Sequence, residues 1–448
     1  MEKIFIILGL AGQLMFSARF LVQWIASEKR KKSVVPISFW FLSLFGSFLL
    51  LIYAIYRKDI VFTLGQLFGF AVYIRNLIII KNTKKEKKIY NKRKENWNTM
   101  KTYLITGGAG FIGSHLVKKL LSENFKVIIV DNFDDFYDYK IKISNLCEAT
   151  NTFFEIKYYE KERNLKEFVN FINNLDKNIT LLNKDIRNFD DLKDTFKNYK
   201  FDGIVHLAAK AGVRPSFEKP LDYEETNIKG TLNLLELCKK FQISNFVCAS
   251  SSSVYGDTQK LPFSESDNIQ KTLSPYALTK KTCEEMAYLY YKNYDIKVIM
   301  LRFFTVYGAA QRPDLAIHKF AKKLKYNEKI SIYGDGKTGR DYTYIDDIIS
   351  GIIASIKFIS QKNKCYEIFN LGNNRVITLM EMIKTMEKIS GYKANLEFCD
   401  FQKGDMPMTY ADISKAGKML GYLPKMNFED GIKIFFEWFE KKESSWDF

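Results

Sequence analysis

The 448-residue sequence contains few of the residues that build metal centres and disulfide frameworks. Its three histidines, His115, His206 and His318, lie far apart in the chain, so we expect no metal site. Its six cysteines show no paired spacing of the kind that binds zinc, and we expect free, reduced thiols. The cysteines are Cys147, Cys238, Cys248, Cys283, Cys365 and Cys399.

Acidic residues are scarce in residues 1–100, which hold 5 Asp+Glu against 17 Lys+Arg. The rest of the chain holds 46 against 51, so the net charge of +17 belongs mostly to the N-terminal part. A basic excess confined in this way does not indicate a nucleic-acid partner.

The N-terminal part contains three long apolar stretches, residues 4–27, 37–56 and 60–80, each of about the length that crosses a bilayer. A cleaved signal peptide is disfavoured because two further stretches follow the first. Basic residues follow the first and third stretches, and basic loops stay inside. We therefore predict a multi-pass protein of the inner (cytoplasmic) membrane, with its N-terminus outside and its larger part cytosolic. The membrane domain is expected over residues 1–81, and a basic linker over residues 82–100.

Polar residues interrupt these stretches, notably Gln13, Arg19 and Gln23 in the first and Gln66 and Arg75 in the third. An ionisable group inside a bilayer is costly. Arg19 therefore either serves a polar site or reaches back towards the basic interface, whereas Arg75 lies close enough to that edge to snorkel.

Residues 102–116, TYLITGGAGFIGSHL, have the pattern of a dinucleotide-binding strand, loop and helix. Gly107 would allow the tight turn, Gly110 would let the backbone approach a pyrophosphate, and Gly113 would let the helix pack closely on the strand. The next apolar run ends at Asp131, whose carboxylate would accept the ribose hydroxyls and repel a 2′-phosphate. This pattern favours NAD over NADP as the cofactor.

From residue 101 onward, strand-like runs alternate with helical ones, which predicts an α/β fold with a Rossmann-type, doubly wound parallel sheet. Ligands of such a sheet bind at the carboxyl ends of its strands. The expected cofactor-binding residues are Gly107, Gly110, Phe111, Ile112, Gly113, Asp131, Asn132, Asp185, Ile186, Leu207, Ala208, Ala209, Tyr276 and Lys280.

Two later motifs carry candidate catalytic groups: a serine-rich strand end, ASSSSVYG, and the run SPYALTK. The separation of Tyr276 and Lys280 by four residues puts them on one helix face. The charge of Lys280 would favour the phenolate form of Tyr276, which could then take or give a proton near neutral pH. A serine hydroxyl would share the proton of a substrate alcohol, and Lys280 would also orient the nicotinamide ribose.

The motifs GGAGFIGSH, DNFDDFYD, HLAAKAGVRPS, SSSSVYG, SPYALTK and YGDGKTGRDYTYIDDI resemble the extended short-chain dehydrogenase/reductase superfamily, in its NAD-dependent nucleotide-sugar epimerase branch. The likeness covers nearly all of residues 101–448. It implies a Rossmann core mainly over 101–300, a smaller substrate-binding part mainly over 301–448, and a homodimer. It also implies that Ser251, Tyr276 and Lys280 are catalytic. The residues that it implies for gripping a UDP-sugar are Ser253, Thr305, Arg312, Arg340 and Asp405.

The implied reaction is reversible oxidation at C4 of the sugar, with Tyr276 exchanging the proton of the C4 hydroxyl. A 4,6-dehydratase of this superfamily carries an Asp-Glu pair just after the catalytic hydroxyl, and a decarboxylase carries a Glu near the position of Ser253. This chain has Ser252 and Ser253 there, which disfavours both.

The block RFFTVYGAAQRPDLAIHKF resembles UDP-glucuronate 4-epimerases, in which an arginine at the position of Arg312 meets the C6 carboxylate. UDP-glucuronate to UDP-galacturonate is therefore the preferred interpretation, and UDP-glucose/UDP-galactose epimerisation is the alternative. The membrane part resembles the N-terminal domain of the lipid A biosynthesis type, akin to a region of lipid-A-disaccharide synthase, which suggests lipopolysaccharide or capsule biosynthesis. A different interpretation is a membrane sugar-lipid binding or transport module with an inactive enzyme-like domain, which the intact Ser251, Tyr276 and Lys280 disfavour.

Overall fold

The computed structural model describes residues 2–31, 33–97, 101–157, 160–269, 271–400 and 407–443. The chain divides into two compact units, Met1–Thr99 and Met100–Phe448. The boundary between the units lies next to residue 100, where the sequence predicts that the linker ends.

The first unit consists of long apolar helices. Each helix contains a segment of 20 to 28 residues that is long and apolar enough to cross a membrane, as the sequence predicts. The helices are α1 (Glu2–Arg30), α2 (Ile37–Tyr56) and α3 (Ile60–Trp97).

Helix α3 extends well beyond the apolar stretch, through residues 82–97, where the sequence predicts a linker. The reason is local: after Gly69 the sequence contains neither glycine nor proline before residue 101, and lysine and glutamate favour helices. The predicted linker is therefore helical over most of its length.

The helices of the first unit approach one another through small and polar residues. A Cβ atom built on Gly46 of α2 would lie 3.0 Å from the carbonyl oxygen of Gly12 in α1, a tight contact, so glycine favours this close crossing of the helices. The hydroxyl of Ser47 donates a hydrogen bond to Oε1 of Gln66 at 2.8 Å and joins α2 to α3.

The second unit has both strands and helices over its described residues. A π-helical turn, Glu224–Lys229, precedes α10, and a 3₁₀ turn, Ser252–Tyr255, follows β5. The strands are β1 (Thr102–Thr106), β2 (Lys126–Asp131), β3 (Ile179–Asn183), β4 (Gly203–His206), β5 (Asn245–Ser251), β6 (Lys297–Phe303), β7 (Thr305–Tyr307), β8 (Lys329–Tyr333), β9 (Gly339–Tyr344), β10 (Tyr366–Leu371), β11 (Val376–Thr378) and β12 (Asn395–Cys399). The helices are α4 (Phe111–Ser122), α5 (Tyr139–Thr150), α6 (Lys161–Asn173), α7 (Phe189–Asn198), α8 (Val213–Glu218), α9 (Pro220–Tyr223), α10 (Gly230–Phe241), α11 (Pro275–Tyr294), α12 (Ala316–Lys325), α13 (Ile345–Ser360), α14 (Leu379–Ser390), α15 (Ser414–Leu420) and α16 (Phe428–Glu443).

Over the described residues, the central sheet has seven parallel strands in the order β10-β6-β5-β4-β1-β2-β3. The chain adds β2 and β3 on one side of β1, and then β4, β5, β6 and β10 on the other. This reversal between β1 and β4 opens a crevice at their carboxyl ends, where such sheets bind ligands. The predicted Rossmann-type sheet is confirmed.

Strand β10 lies after residue 300 but belongs to the central sheet. It pairs in parallel with β6, so the C-terminal part of the chain returns to the Rossmann sheet after leaving it. The substrate-binding part instead contains a three-stranded sheet, β11-β9-β7, and a two-stranded sheet, β12-β8.

The core of the second unit lies between the central sheet and the helices packed on it. Leu104 of β1, Ile128 of β2 and Phe246 of β5 are fully buried in one cluster with Leu234 of α10 and Ala287 of α11. Helix coverage of both faces explains why the strands read as continuous apolar runs and not as alternating ones. The packed helices hold the strand ends rigidly at the crevice.

Candidate active site

The glycine-rich loop after β1 is a tight cradle that side chains would fill. Gly107 has a φ of +71° and its amide donates to the carbonyl of Val130 at 2.8 Å. A Cβ on Gly107 would lie 2.7 Å from the amide nitrogen of Ala208, and one on Gly113 would lie 2.1 Å from the Gly107 carbonyl oxygen. Helix α4 begins at Phe111, directly after the loop, so its N-terminal amides face the position where a phosphate group would bind.

Substitution of Gly113 by alanine is expected to distort this loop, because neither the Gly107 carbonyl nor the helix can withdraw from a 2.1 Å contact. We expect a loss of about 1–3 kcal/mol of stability and loss of the dinucleotide that copurifies with the protein. Thermal unfolding and dinucleotide content measure both effects. Gly417→Ala is the matched control, since its new Cβ would meet its nearest atom at an ordinary 3.5 Å. Equal dinucleotide content in the two variants would contradict the assignment of this loop.

Asp131 is buried at the end of β2, beside the glycine loop. Its Oδ2 accepts the amide of Ala109 at 3.0 Å and its Oδ1 accepts the amide of Phe133 at 2.9 Å. Each carboxylate oxygen keeps a second lone pair. Asp131 therefore fixes the loop and retains acceptor positions for ribose hydroxyls, so the residues fit NAD.

Asp185, one of the expected cofactor-binding residues, forms an ion pair in the structure. The Arg187 guanidinium donates to both of its carboxylate oxygens at 2.8–3.1 Å, and the Asn132 amide donates to Oδ2 at 2.9 Å. Burial opposes ionisation of Asp185, but these bonds outweigh it and hold the pKa of its carboxyl below the ordinary value. Arg187 is not among the residues that the sequence predicts for the site, although it follows Asp185 by two residues.

The catalytic candidates meet where β5 ends and α11 begins. Ser274 caps α11 by accepting the amide of Ala277 at 3.1 Å, and Pro275 occupies the first turn. Tyr276 is thereby fixed in that turn. One turn later, the buried Lys280 donates from Nζ to the carbonyl of Ala249 in β5 at 2.7 Å.

The serine side of this site is a pair of hydroxyls. Ser251, the last residue of β5, has its Oγ 3.2 Å from Oγ of Ser253 and accepts the Ser253 amide at 3.2 Å. These bonds close the 3₁₀ turn that follows β5. They hold the two hydroxyls side by side, so that both could form hydrogen bonds to the same substrate hydroxyl.

A cavity of ≈480 Å³ joins the glycine loop, the catalytic candidates and part of the predicted substrate site. It contains every residue that the sequence assigned to the cofactor and to catalysis. Those residues are Gly107, Gly110, Phe111, Ile112, Gly113, Asp131, Asn132, Asp185, Ile186, Leu207, Ala208, Ala209, Ser251, Tyr276 and Lys280.

The predicted substrate residues divide between this cavity and a smaller neighbouring one. Ser253 and Thr305 line both, Arg312 lines the larger, and Arg340 lines the smaller. Arg340 donates from Nη1 to the Gly339 carbonyl at 2.9 Å. Asp405 lies outside the described residues.

Arg312 is held in place before any substrate arrives. Its Nε and Nη2 donate to the two oxygens of Asp314 at 3.0 and 2.9 Å, and its guanidinium lies 5.3 Å from the ring centroid of Phe136. The Nε and Nη2 edge of the Arg312 guanidinium is thus occupied by a carboxylate of the same chain, a pairing that the sequence does not predict.

The structure adds charged residues to the cavity that the sequence analysis did not select. Lys210 donates to Oδ1 of Asp134 at 2.8 Å, and Lys142 donates to the Asp134 carbonyl at 2.7 Å. All three residues line the cavity near Asp131. The run DNFDDFYD, which begins at Asp131 where β2 ends, could have indicated Asp134 but not the two lysines.

Comparisons with known proteins agree with this architecture. Residues 103–372 match the NAD dependent epimerase/dehydratase family, and residues 8–78 match the Lipid A Biosynthesis N-terminal domain. UDP-glucuronate 4-epimerase of Thermodesulfobacterium geofontis is 42% identical over 337 residues, which cover 75% of this chain and 95% of that protein.

Solved structures of nucleotide-sugar epimerases share the fold of the second unit. The UDP-glucuronic acid 4-epimerase from Bacillus cereus, in complex with UDP-glucuronic acid and NAD, has a TM-score of 0.65 at 35% identity, covering 76% of this chain and 99% of its own. The UDP-glucose 4-epimerase of Thermotoga maritima, with UDP-glucose, has a TM-score of 0.64 at 30% identity and the same coverage.

Proposed function

The chain belongs to the NAD dependent epimerase/dehydratase family, and from that membership we propose that it is a membrane-anchored enzyme converting UDP-glucuronate to UDP-galacturonate. It is an NAD-dependent nucleotide-sugar 4-epimerase with a Rossmann-type fold. The observation that carries the proposed substrate is Arg312, a fixed guanidinium in the cavity that also contains Tyr276. Relatives that bear the name UDP-glucuronate 4-epimerase match nearly the whole second unit.

The proposed mechanism assigns each step of proton handling to a residue of this chain. When bound, NAD supplies the hydride acceptor and donor for C4 of the sugar. Tyr276 accepts the proton of the C4 hydroxyl and later returns it. A general acid-base group must lie within reach of the proton that it moves, and Tyr276 lines the cavity that would hold the sugar. Ser251, paired with Ser253, hydrogen-bonds the same oxygen. Lys280 lies one helical turn after Tyr276, and its Nζ, which donates to the Ala249 carbonyl at 2.7 Å, holds a positive charge in the same cavity.

Substitution of Arg312 by glutamine is expected to lower kcat/KM for UDP-glucuronate by about 10- to 100-fold and to leave that for UDP-glucose nearly unchanged. The reason is that only glucuronate offers a C6 carboxylate to a guanidinium. Steady-state kinetics with both sugars measure the difference. Arg375→Gln, which removes an exposed arginine paired with Glu381, is the matched control.

An equal loss with both sugars would contradict this role of Arg312 and make it a phosphate-binding or structural residue. The second candidate function, UDP-glucose/UDP-galactose epimerisation, would then gain support. It is favoured by the similarity to the Thermotoga maritima enzyme and by the Arg312–Asp314 pair, which already satisfies one edge of the guanidinium.

We propose that the first unit anchors the enzyme in the cytoplasmic membrane, with the N-terminus outside and the catalytic unit in the cytosol. Support comes from helices long and apolar enough to cross a membrane and from the basic residues that follow the first and third of them. Release of the full chain from membranes by alkaline carbonate would contradict the anchor. The product would serve surface polysaccharide or glycolipid assembly.

The proposed homodimer would form through α10 and α11, the helices beside the active site. Leu278 and Leu289 of α11 are more than half exposed and lie eleven residues apart, on one helix face, and Leu232 of α10 is also exposed. Their burial against a second copy would remove apolar surface from water. A monomeric mass in analytical sedimentation would contradict this arrangement.

A further inference from the structure

Arg19 carries a positive charge into the first unit without a matching negative charge. Among the spans Glu2–Lys29, Ile37–Tyr56 and Ile60–Ile80, acidic residues occur only at the ends of the first, at Glu2 and Glu28. No carboxylate of the spans therefore lies near the depth of Arg19. A charge held inside a bilayer normally has a partner of opposite sign or faces water.

The contacts of Arg19 show that its side chain stays within the helices. Its guanidinium lies 3.6 Å from the ring centroid of Phe16 and 4.6 Å from that of Phe20. Nη1 donates to the hydroxyls of Tyr73 in α3 at 3.2 Å and of Ser43 in α2 at 3.4 Å. Nε is buried and, among the described residues, has no hydrogen-bond partner.

The depth of this group separates it from a snorkelling arginine. Arg19 precedes Glu28 by nine residues, about 14 Å along α1, which is farther than its side chain reaches. Ser43 follows the start of α2 by six residues, about 9 Å. Tyr73 precedes Ile80 by seven residues, about 10 Å. The sequence therefore brings one residue of each helix to a similar depth, on the side of the basic loops.

The ligand chemistry follows from these groups. Two neutral hydroxyls satisfy one nitrogen weakly, whereas a guanidinium binds a phosphate in a strong, charge-assisted geometry. Arg19 is half-buried, so part of its side chain remains open at the surface of the helices. The adjacent loop sequence Lys29-Arg30-Lys31-Lys32 attracts anionic headgroups to that membrane face.

We propose that Arg19, with Ser43 and Tyr73, forms a binding site for the phosphate group of a membrane lipid within the first unit. The lipid phosphate supplies the missing negative charge, and the hydroxyl of Tyr73 donates to one of its oxygens. The Ser43 hydroxyl, which donates to the Phe39 carbonyl at 2.7 Å, accepts from the guanidinium and positions it. The proposal rests on the membrane location given above, but it requires neither the substrate nor the reaction proposed there. It makes the first unit a lipid-recognition module as well as an anchor.

The test measures lipid retention by the full-length chain, purified in detergent, with native mass spectrometry. The probes are phosphatidic acid, a phosphate monoester lipid, and phosphatidylcholine as the zwitterionic reference. We expect at least a tenfold preference for phosphatidic acid in the unsubstituted protein and loss of that preference in Arg19→Met. The matched control is Arg75→Met, which removes the exposed arginine of α3 and should keep the preference.

A second arm separates the sources of phosphate and the structural alternative. If inorganic phosphate displaces the bound lipid at millimolar concentration, the lipid assignment is overturned in favour of a soluble phosphate compound. If the unsubstituted protein shows no preference, or Arg19→Met retains it, Arg19 only clamps the three helices and the proposal fails. Epimerase activity is measured in the same samples. Absence of epimerase activity would contradict the proposed function and leave the Arg19 site untouched. Absence of the lipid preference would contradict the Arg19 site and leave the proposed function untouched.

Discussion

Replacement of Tyr276 by phenylalanine is expected to lower kcat for C4 epimerisation by about 10²- to 10⁴-fold, the usual contribution of a general acid-base group. Phenylalanine keeps the ring and its edge-to-face contact with Tyr223 but cannot exchange a proton. The fold and the bound NAD should therefore survive. Rates measured by NMR or coupled assay, together with the melting temperature and NAD content, test this expectation.

The matched control for this prediction is Tyr288→Phe, which removes an exposed hydroxyl from the same helix and should leave the rate unchanged. Full activity in Tyr276→Phe would overturn the proposed acid-base role. A parallel loss of NAD would instead show that Tyr276 acts mainly in binding the cofactor.

Substitution of Glu284 by glutamine is expected to cost about 3–5 kcal/mol of folding stability, since it leaves a buried charge without its partner. Glu284 accepts bonds from Nε and Nη2 of Arg302 at 2.9 and 2.8 Å and from the Ser250 hydroxyl at 2.6 Å, and both charged side chains are almost fully buried. Burial disfavours the guanidinium, but the Glu284 bonds outweigh it and raise the pKa of Arg302. We expect the melting temperature to fall by about 10 °C.

Two further variants isolate the charge effect of Glu284. The double variant Glu284→Met, Arg302→Met removes both charges and should recover much of the loss, as apolar replacements of buried pairs commonly do. Lys388→Met breaks an exposed pair with Glu429 and should cost about 0–1 kcal/mol. If Glu284→Gln lowers the free energy of unfolding no more than Lys388→Met does, the buried Glu284–Arg302 pair does not stabilise the end of β5, where Ser251 lies.

The sequence predicted best where local pattern and tertiary role coincide. The glycine loop at Gly107 and Gly113 can be identified because strand, turn and helix follow within 15 residues, each with its own local signal. The three long apolar helices could also be predicted, because the length of an apolar stretch and the absence of interior carboxylates depend on composition alone.

The sequence is least informative where distant or competing contacts decide the outcome. Strand β10 returns to the central sheet by pairing with β6, nearly 70 residues earlier in the chain, and no local pattern reveals that pairing. The helix over residues 82–97 was missed because a basic composition was taken for a linker despite its helix-forming residues.

The site residues show the same limit at the level of side chains. Asp185 and Arg312 were selected for ligand binding, yet each already has a partner in the same chain, Arg187 and Asp314 respectively. Both partners lie only two residues away, but the sequence does not say that a short-range ion pair will form in preference to a contact with ligand. In the structure, Asp185 and Arg312 are therefore oriented by ion pairs before any ligand binds.

The most direct test of the central claim is proton NMR of the full-length chain with UDP-glucuronate that carries deuterium at C4. Transient oxidation at C4 predicts the UDP-galacturonate anomeric signal, with deuterium retained at C4 and no net consumption of NAD. Absence of conversion, or loss of the C4 deuterium to solvent during conversion, would contradict the account.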